Sequence, residues 1–436
     1  MLFDRIKLSN EDFEGAPVDT TEAIIEGDLA YADAMDIARE AMMDATAMDA
    51  AQSAVMALDA KIANEEYLLA NPEKITTETV VLAQESYRSV AAILGANIED
   101  IEGVVSHESI ESSPITALQV SHEGVKDFIV KLYESIKLLF KKIANAIKKV
   151  VVKLVVAMNG VEKAAKKLQD SLKKGTTDTP KQSNLPERDG KVWSKYFTAV
   201  CAIGSIKKIS DDSAAKILIT FHTENVGESL AGINTNLKSF ADTISKDDAD
   251  IKKMNDELAK LKAKSDDASK KEYAAMKELI KDNEVIVPVA LVNDQIKGLI
   301  MTFEDGDDDA KYDVKFKAGS LKTENDVDSE VTALNKTQVT GILTELVTMA
   351  KGLKKFSDNR IKEIDSMYKD LDKMAGDKTS NAVSKFLLKQ KASFGTNIRA
   401  LVAGVYLDSV LAYSSATKKL LAYCRDNAKL LKSNEL

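Results

Sequence analysis

The sequence predicts a mainly α protein: an acidic helical N-terminal region, one long amphipathic helix, and then a helical bundle with a small inserted antiparallel β meander. Three observations predict it. Glycine (19) and proline (6) are scarce among 436 residues, and Ala, Lys, Leu and Asp dominate, a composition that favours helix. An apolar stripe with steps of three and four runs through residues 124–174. One β-rich run, Val285-Ile286-Val287-Pro288-Val289-Ala290-Leu291-Val292, interrupts the second half.

In chain order, residues 1–20 read as an irregular start. Residues 21–65 place apolar and Ala positions at helical spacing with acids between them, giving one or two helices. Asn71-Pro72 breaks this pattern, and 76–94 reads as a further short helix. Residues 103–123 hold five serines, Gly103 and Pro114, and read as an exposed linker of the kind a protease reaches.

The long helix is predicted over 124–174. Its stripe is Val125, Ile129, Leu132, Ile136, Leu139, Ile143, Ile147, Val150, Leu154, Met158, Val161, Ala165, Leu168 and Leu172, near heptad spacing. Its other faces hold 13 lysines against four acids, Asp127, Glu134, Glu162 and Asp170. Gly160 marks a place where it could bend or divide. A polar linker follows at 175–190, with Gly175, Pro180, Pro186 and Gly190. A helical domain over 191–436 opens with Trp193, Tyr196, Phe197 and Val200 on one face. It continues through 214–245 and a charged, coiled-coil-like 246–282. The meander is expected at about 284–321, with strands at 285–292, 299–303 and 312–316 and a turn at Asp305-Gly306-Asp307. Residues 328–373, 377–402 and 404–432 read as closing helices.

Charge divides the chain. Residues 1–123 hold 6 Lys+Arg and 25 Asp+Glu, a net of −19, and residues 124–436 hold the remaining 54 and 44, a net of +10. Such asymmetry points to an acidic tail or to a nucleic-acid or membrane partner. Two cysteines, Cys201 and Cys424, make no disulfide framework and no metal spacing, so buried thiols in a reducing compartment are expected. The first residues lead into acids rather than an apolar run, so no secretory signal is expected. No stretch of about 18 apolar residues is present for a membrane span.

The residue inventory disfavours an enzyme. His222 is the only histidine after residue 123, which leaves little material for a catalytic triad or a metal cluster, and it reads as a packing residue. No phosphate-binding or dinucleotide-type glycine pattern occurs. The acidic run at 304–309 has calcium-like composition without the spacing of an EF-hand loop, and reads as a solvated turn. No cofactor is expected. The candidate binding residues are the lysines of the long helix: Lys126, Lys131, Lys137, Lys141, Lys142, Lys148, Lys149, Lys153, Lys163, Lys166 and Lys167. Two partners fit them. A lysine array neutralises nucleic-acid phosphates without reading bases. A basic amphipathic helix also suits a membrane surface. Alternatively the apolar stripe packs into the protein's own bundle and leaves the lysines free.

The tripeptide Ser-His-Glu occurs twice, as Ser106-His107-Glu108 and Ser121-His122-Glu123, each after valine. The second copy sits where the charge changes sign, directly before Gly124. A repeated motif at a composition boundary suggests a processing site, hence a precursor and a product. Small residue-x-Glu triplets end at Glu11, Glu40, Glu65, Glu85, Glu108, Glu111 and Glu123, seven of the 15 glutamates before Gly124. After it, only those ending at Glu162 and Glu435 occur among 15.

In these features the chain resembles the internal head proteins of giant tailed phages of the phiKZ type, which carry acidic propeptides trimmed after Glu in a Ser/Ala/Gly-x-Glu motif by the phage prohead protease. The resemblance covers residues 1–175. It implies a virion protein made in the bacterial host cytoplasm and housed inside the capsid. Its implied partners are the prohead protease, other capsid-interior proteins and packaged DNA held non-specifically by charge. It also implies cleavage after Glu123, with Glu108 and Glu111 as alternatives and further trimming at Glu11, Glu40, Glu65 and Glu85. The product of the Glu123 cut would be 313 residues with a net of +10. Two other classes fit the same chain: a membrane-active or pore-forming helical protein, for which 150–158 is the most apolar stretch, and a cytoplasmic coiled-coil interaction protein.

Overall fold

Alanine shapes the first element. The computed structural model describes residues 18–101, 103–174, 176–244, 283–305, 312–323, 327–376 and 404–432, with isolated positions 256, 259, 260, 262 and 263. Helix α1 (Val18–Ala70) is one continuous helix, where the sequence left one or two open. Its buried side is built mostly from small residues: Ala30, Ala34, Ala38, Ala41, Ala51 and Ala54, with Met48, Val55 and Leu58. Small side chains let a second helix approach closely. At Gly27, a Cβ would lie 3.2 Å from the Ala157 carbonyl oxygen and 3.7 Å from the Gly160 Cα. Gly160 therefore serves a close crossing, and the helix it lies in is not divided there.

Helix α2 (Thr77–Leu94) starts from a reciprocal cap between Thr76 and Thr79 and stops at Gly95, whose φ of 63° an L side chain adopts rarely. A six-residue α3 (His107–Ser112) and the 60-residue α4 (Pro114–Lys173) follow. The stretch read as an exposed linker, 103–123, is thus largely helical. Two of its five serines stand at helix N-cap positions: Ser106 accepts from the Ser109 amide, and Ser113 precedes Pro114, which suits the first helical position. At about 1.5 Å per residue α4 is about 90 Å long. Every member of its stripe is buried apart from Leu139 and Leu168, which are half-buried. Phe140, Ala144, Val151, Ala157 and Ala164 widen the buried side because α4 has partners on two flanks. It packs most extensively on α1, and next on the helices at Lys336–Gly376 and Leu407–Leu431.

Past α4 come α5 (Glu187–Tyr196), α6 (Thr198–Gly204), α7 (Ser213–Thr220), a π-helical turn (Phe221–Asn225) and α8 (Val226–Ile244). Trp193, Tyr196 and Phe197 form an aromatic cluster with Tyr423, and the Trp193 indole donates to Asp426 at 3.0 Å. The meander is β1 (Glu284–Val292), β2 (Gln295–Asp305) and β3 (Tyr312–Lys322), antiparallel in the order β1-β2-β3. Asn293, at φ 52°, and Asp294 make the two-residue turn between β1 and β2. Helices α9 (Lys336–Gly376) and α10 (Leu407–Leu431) close the fold. The observed class is mainly α with a three-stranded meander, as the sequence predicts. The expectations at 1–17, at most of 246–282, at the turn beyond Asp305 and at 377–402 lie outside the described residues.

Both cysteines are buried in helices, and burial alone pushes the Cys201 thiol up to about 12. Among the described residues no three His, Cys, Asp or Glu side chains gather to hold a metal ion, and no helix is long and apolar enough to cross a membrane.

Candidate processing site and basic face

The two Ser-His-Glu copies have the same residues and opposite settings. The first lies on the surface. Ser106 caps α3, His107 is 69% exposed beside Glu111 at 3.3 Å, and Glu108 and Glu111 face solvent. Ile110 is the one buried residue of this helix.

The second copy lies inside α4, and its serine is fully buried. The Ser121 hydroxyl donates to Glu65 Oε1 at 2.8 Å, accepts from Gln84 Nε2 at 2.8 Å, and lies 3.1 Å from the Tyr87 hydroxyl. One donor and two acceptor sites are all a hydroxyl has, so Ser121 is saturated. Glu65 is itself fully buried and paired with Lys61 at 2.8 Å. The Lys61 ammonium donates to the Ala83 carbonyl at 2.8 Å and sits 4.0 Å above the Tyr87 ring. Burial pulls the Lys61 ammonium below its ordinary range, against the pull of Glu65, and burial pushes the Tyr87 hydroxyl up. His122 Nδ1 approaches Glu65 Oε2 at 3.5 Å. Glu123 faces solvent and Gly124 is half-buried.

This buried cluster joins α1, α2 and α4. It also holds the chain that leads into α3: Gln84 Oε1 accepts from the Val105 amide at 3.3 Å. Two residues earlier Gly103, at φ 95°, passes so close that a Cβ would strike the Tyr87 hydroxyl and lie 2.8 Å from the Ser121 carbonyl oxygen. Serine, histidine and glutamate meet here without the order a nucleophile needs. The Ser121 proton goes to Glu65, and no hydrogen bond links it to His122. Sequence reasoning missed Lys61, Gln84 and Tyr87 and took Glu65 as a trimming site. Glu65 is fully buried, whereas Glu40 and Glu85 are exposed on α1 and α2. The Lys61/Glu65 spacing of four was the available signal for a pair on one helix face.

The lysines of α4 fall into two groups. Lys126 approaches Glu66 at 3.9 Å and Lys153 binds Asp33 at 2.7 Å, both on α1. Lys148 reaches Asp365 on α9 at 3.1 Å, and Lys137 and Lys166 pair within α4 with Glu134 at 3.2 Å and Glu162 at 2.6 Å. Lys166, with Lys351 behind it, holds the Glu162 carboxyl below its usual range. Lys141, Lys142, Lys149 and Lys163 are exposed and make no ion pair with a described residue; Lys131 is exposed and Lys167 half-buried.

The described residues thus form a mainly α scaffold that carries one long basic helix. A family model of phiKZ-like phage internal head proteins matches residues 16–426, and the chain belongs to that family. It is a bacteriophage virion protein, and its place is inside the capsid. No curated protein and no solved structure matches it.

Proposed function

We propose that this internal head protein is made as a precursor in the host cytoplasm, that the prohead protease removes its acidic region by cutting after Glu123, with Glu108 and Glu111 as alternatives, and that the α4 lysines then lie against packaged DNA among other capsid-interior proteins. The change of net charge from −19 to +10 at the second triplet carries this reading. Two acids of α1, Asp33 and Glu66, neutralise α4 lysines in the full chain, so loss of α1 frees Lys153 and Lys126. Lysines neutralising phosphates give affinity that falls steeply with salt and ignores sequence.

The test is the amino terminus of the protein recovered from particles. Ser109, Ser112 or Gly124 is expected, and an intact Met1 overturns the reading. The processed form should also be retained on DNA of any sequence at low salt and released as salt rises, while the full chain is retained more weakly. A second reading has one observation in its favour. Exposed Val130, Leu138 and Val152 lie among the outer lysines of α4, a mixture that suits a lipid headgroup layer. Dye release from anionic vesicles without DNA retention would favour it.

A further inference from the structure

We infer that the two Ser-His-Glu copies are cut in a fixed order: the bonds after Glu108 and Glu111 open first, and the Ser121 cluster shields the bond after Glu123 until they have. The inference rests on the processing reading for the identity of the protease, but the order is a property of the fold.

An endoprotease needs extended chain on both sides of its bond, so a helical site must unwind first. Around Glu108 this means undoing a six-residue helix that buries Ile110 and is capped by one serine hydroxyl. Around Glu123 it means undoing the start of a 60-residue helix in which Leu118, Ser121 and Val125 are each 0% exposed. Unwinding there pulls the Ser121 hydroxyl from three partners and leaves the buried Glu65 carboxylate with Lys61 but without its hydroxyl donor, a costly state. Exposure of the Glu123 side chain therefore does not make its bond accessible.

The first cut weakens the shield. The segment 103–108 is tied to the cluster by the Val105 amide on Gln84 and by the close passage of Gly103 over Tyr87. Hydrolysis adds one water across the Glu108–Ser109 peptide bond, giving a new carboxylate on Glu108 and a new amino group on Ser109. The segment over the cluster becomes a free end that frays, and Gln84 loses the contact that orients it toward Ser121. Cleavage after Glu111 acts in the same way. A product starting at Ser112 adds only Glu123 to the +10 of the basic half, so the first cut already severs the covalent link between nearly all of the acidic charge and that half.

The test is timed digestion of the folded full chain with a glutamyl endopeptidase, which cuts after Glu without regard to the preceding residues, with new amino termini read by mass spectrometry. Ser109 and Ser112 termini are expected first, with Gly124 delayed about tenfold or more, the scale set by a buried hydroxyl's hydrogen bonds. Equal or earlier release of Gly124 overturns the order. Ser121→Ala keeps the small residue of the triplet and removes the hydroxyl. It should speed the cut after Glu123 about tenfold and leave the cut after Glu108 unchanged. No gain at Glu123, or an equal gain at both bonds, overturns the role of the cluster. Tyr87→Phe, which removes the α2 hydroxyl facing Ser121 and leaves α4 unaltered, should give the same selective gain and guards against a misfolded Ser121 variant. If particles contain an intact Met1 while the digestion order holds, the processing reading fails and the shielding stands.

Discussion

At the scale of a residue, His222 shows what the scaffold costs in acid. His222 belongs to the π-helical turn between α7 and α8; its buried ring lies edge-on to Phe221 and Tyr413, and neither ring nitrogen has a hydrogen-bond partner. Burial moves its pKa from 6.5 to about 3. An unfolded imidazole takes its proton near 6.5 and the folded one near 3, so between these values the unfolded chain binds more protons and stability falls as pH falls. The slope from this one group is about 1.4 kcal/mol per pH unit. His222→Leu removes the proton site and the unpartnered nitrogens together. It should stabilise the fold by about 1 kcal/mol near neutrality. Its advantage over the native chain should widen by about 2 kcal/mol between pH 6.5 and pH 5. Urea midpoints of the two proteins across that range check this; a constant difference would place the acid sensitivity elsewhere.

At the scale of an element, what was legible in the sequence depended on how local its cause was. The stripe of α4 and the alternation of the meander are periodic within one segment, so they could be read from spacing. The starts of α3 and α4 could not, because Ser106, Ser113 and Pro114 serve equally well in a loop and at a helix N-terminus. The burial of Ser121 was less legible still: its partners Tyr87, Gln84 and Glu65 lie 34, 37 and 56 residues away. The α1–α4 contact is a middle case. The alanines of α1 were visible, but their use as a close helix crossing depends on Gly27 meeting Ala157 and Gly160. Gly27→Leu should force α1 away from α4 there and cost about 1–3 kcal/mol, read as a lower urea midpoint and faster amide exchange in α1 than in α9. Unchanged exchange in α1 would mean that this crossing does not hold the helix.

At the scale of the whole molecule, cutting the chain and removing its acidic half are different events. Helix α1 is held to α4 by packing along its length, and Met48, Val55, Leu58 and Leu68 are all buried. At about 1.5–3 kcal/mol each, these four contribute about 6–12 kcal/mol of gross burial before the alanines are counted. That is comparable to the roughly 4–15 kcal/mol of freedom lost when two separate chains associate. The side chains of the ion pairs Asp33–Lys153 and Glu66–Lys126 are 42–59% exposed, so these pairs add little. A chain nicked after Glu108 should therefore keep its acidic piece docked and its net charge unchanged, and the charge reversal should come only when α1 leaves. Because the docking is chiefly apolar, salt should not strip it, whereas urea should, and so should a competitor that covers the apolar side of α4. Size-exclusion chromatography of the nicked protein should recover both pieces in one peak at low and at high salt, and separate peaks in urea below the concentration that unfolds α9 and α10. If high salt alone separates the pieces, charge rather than packing holds the acidic half in place, and packaged DNA could then displace α1 directly by competing for Lys126 and Lys153.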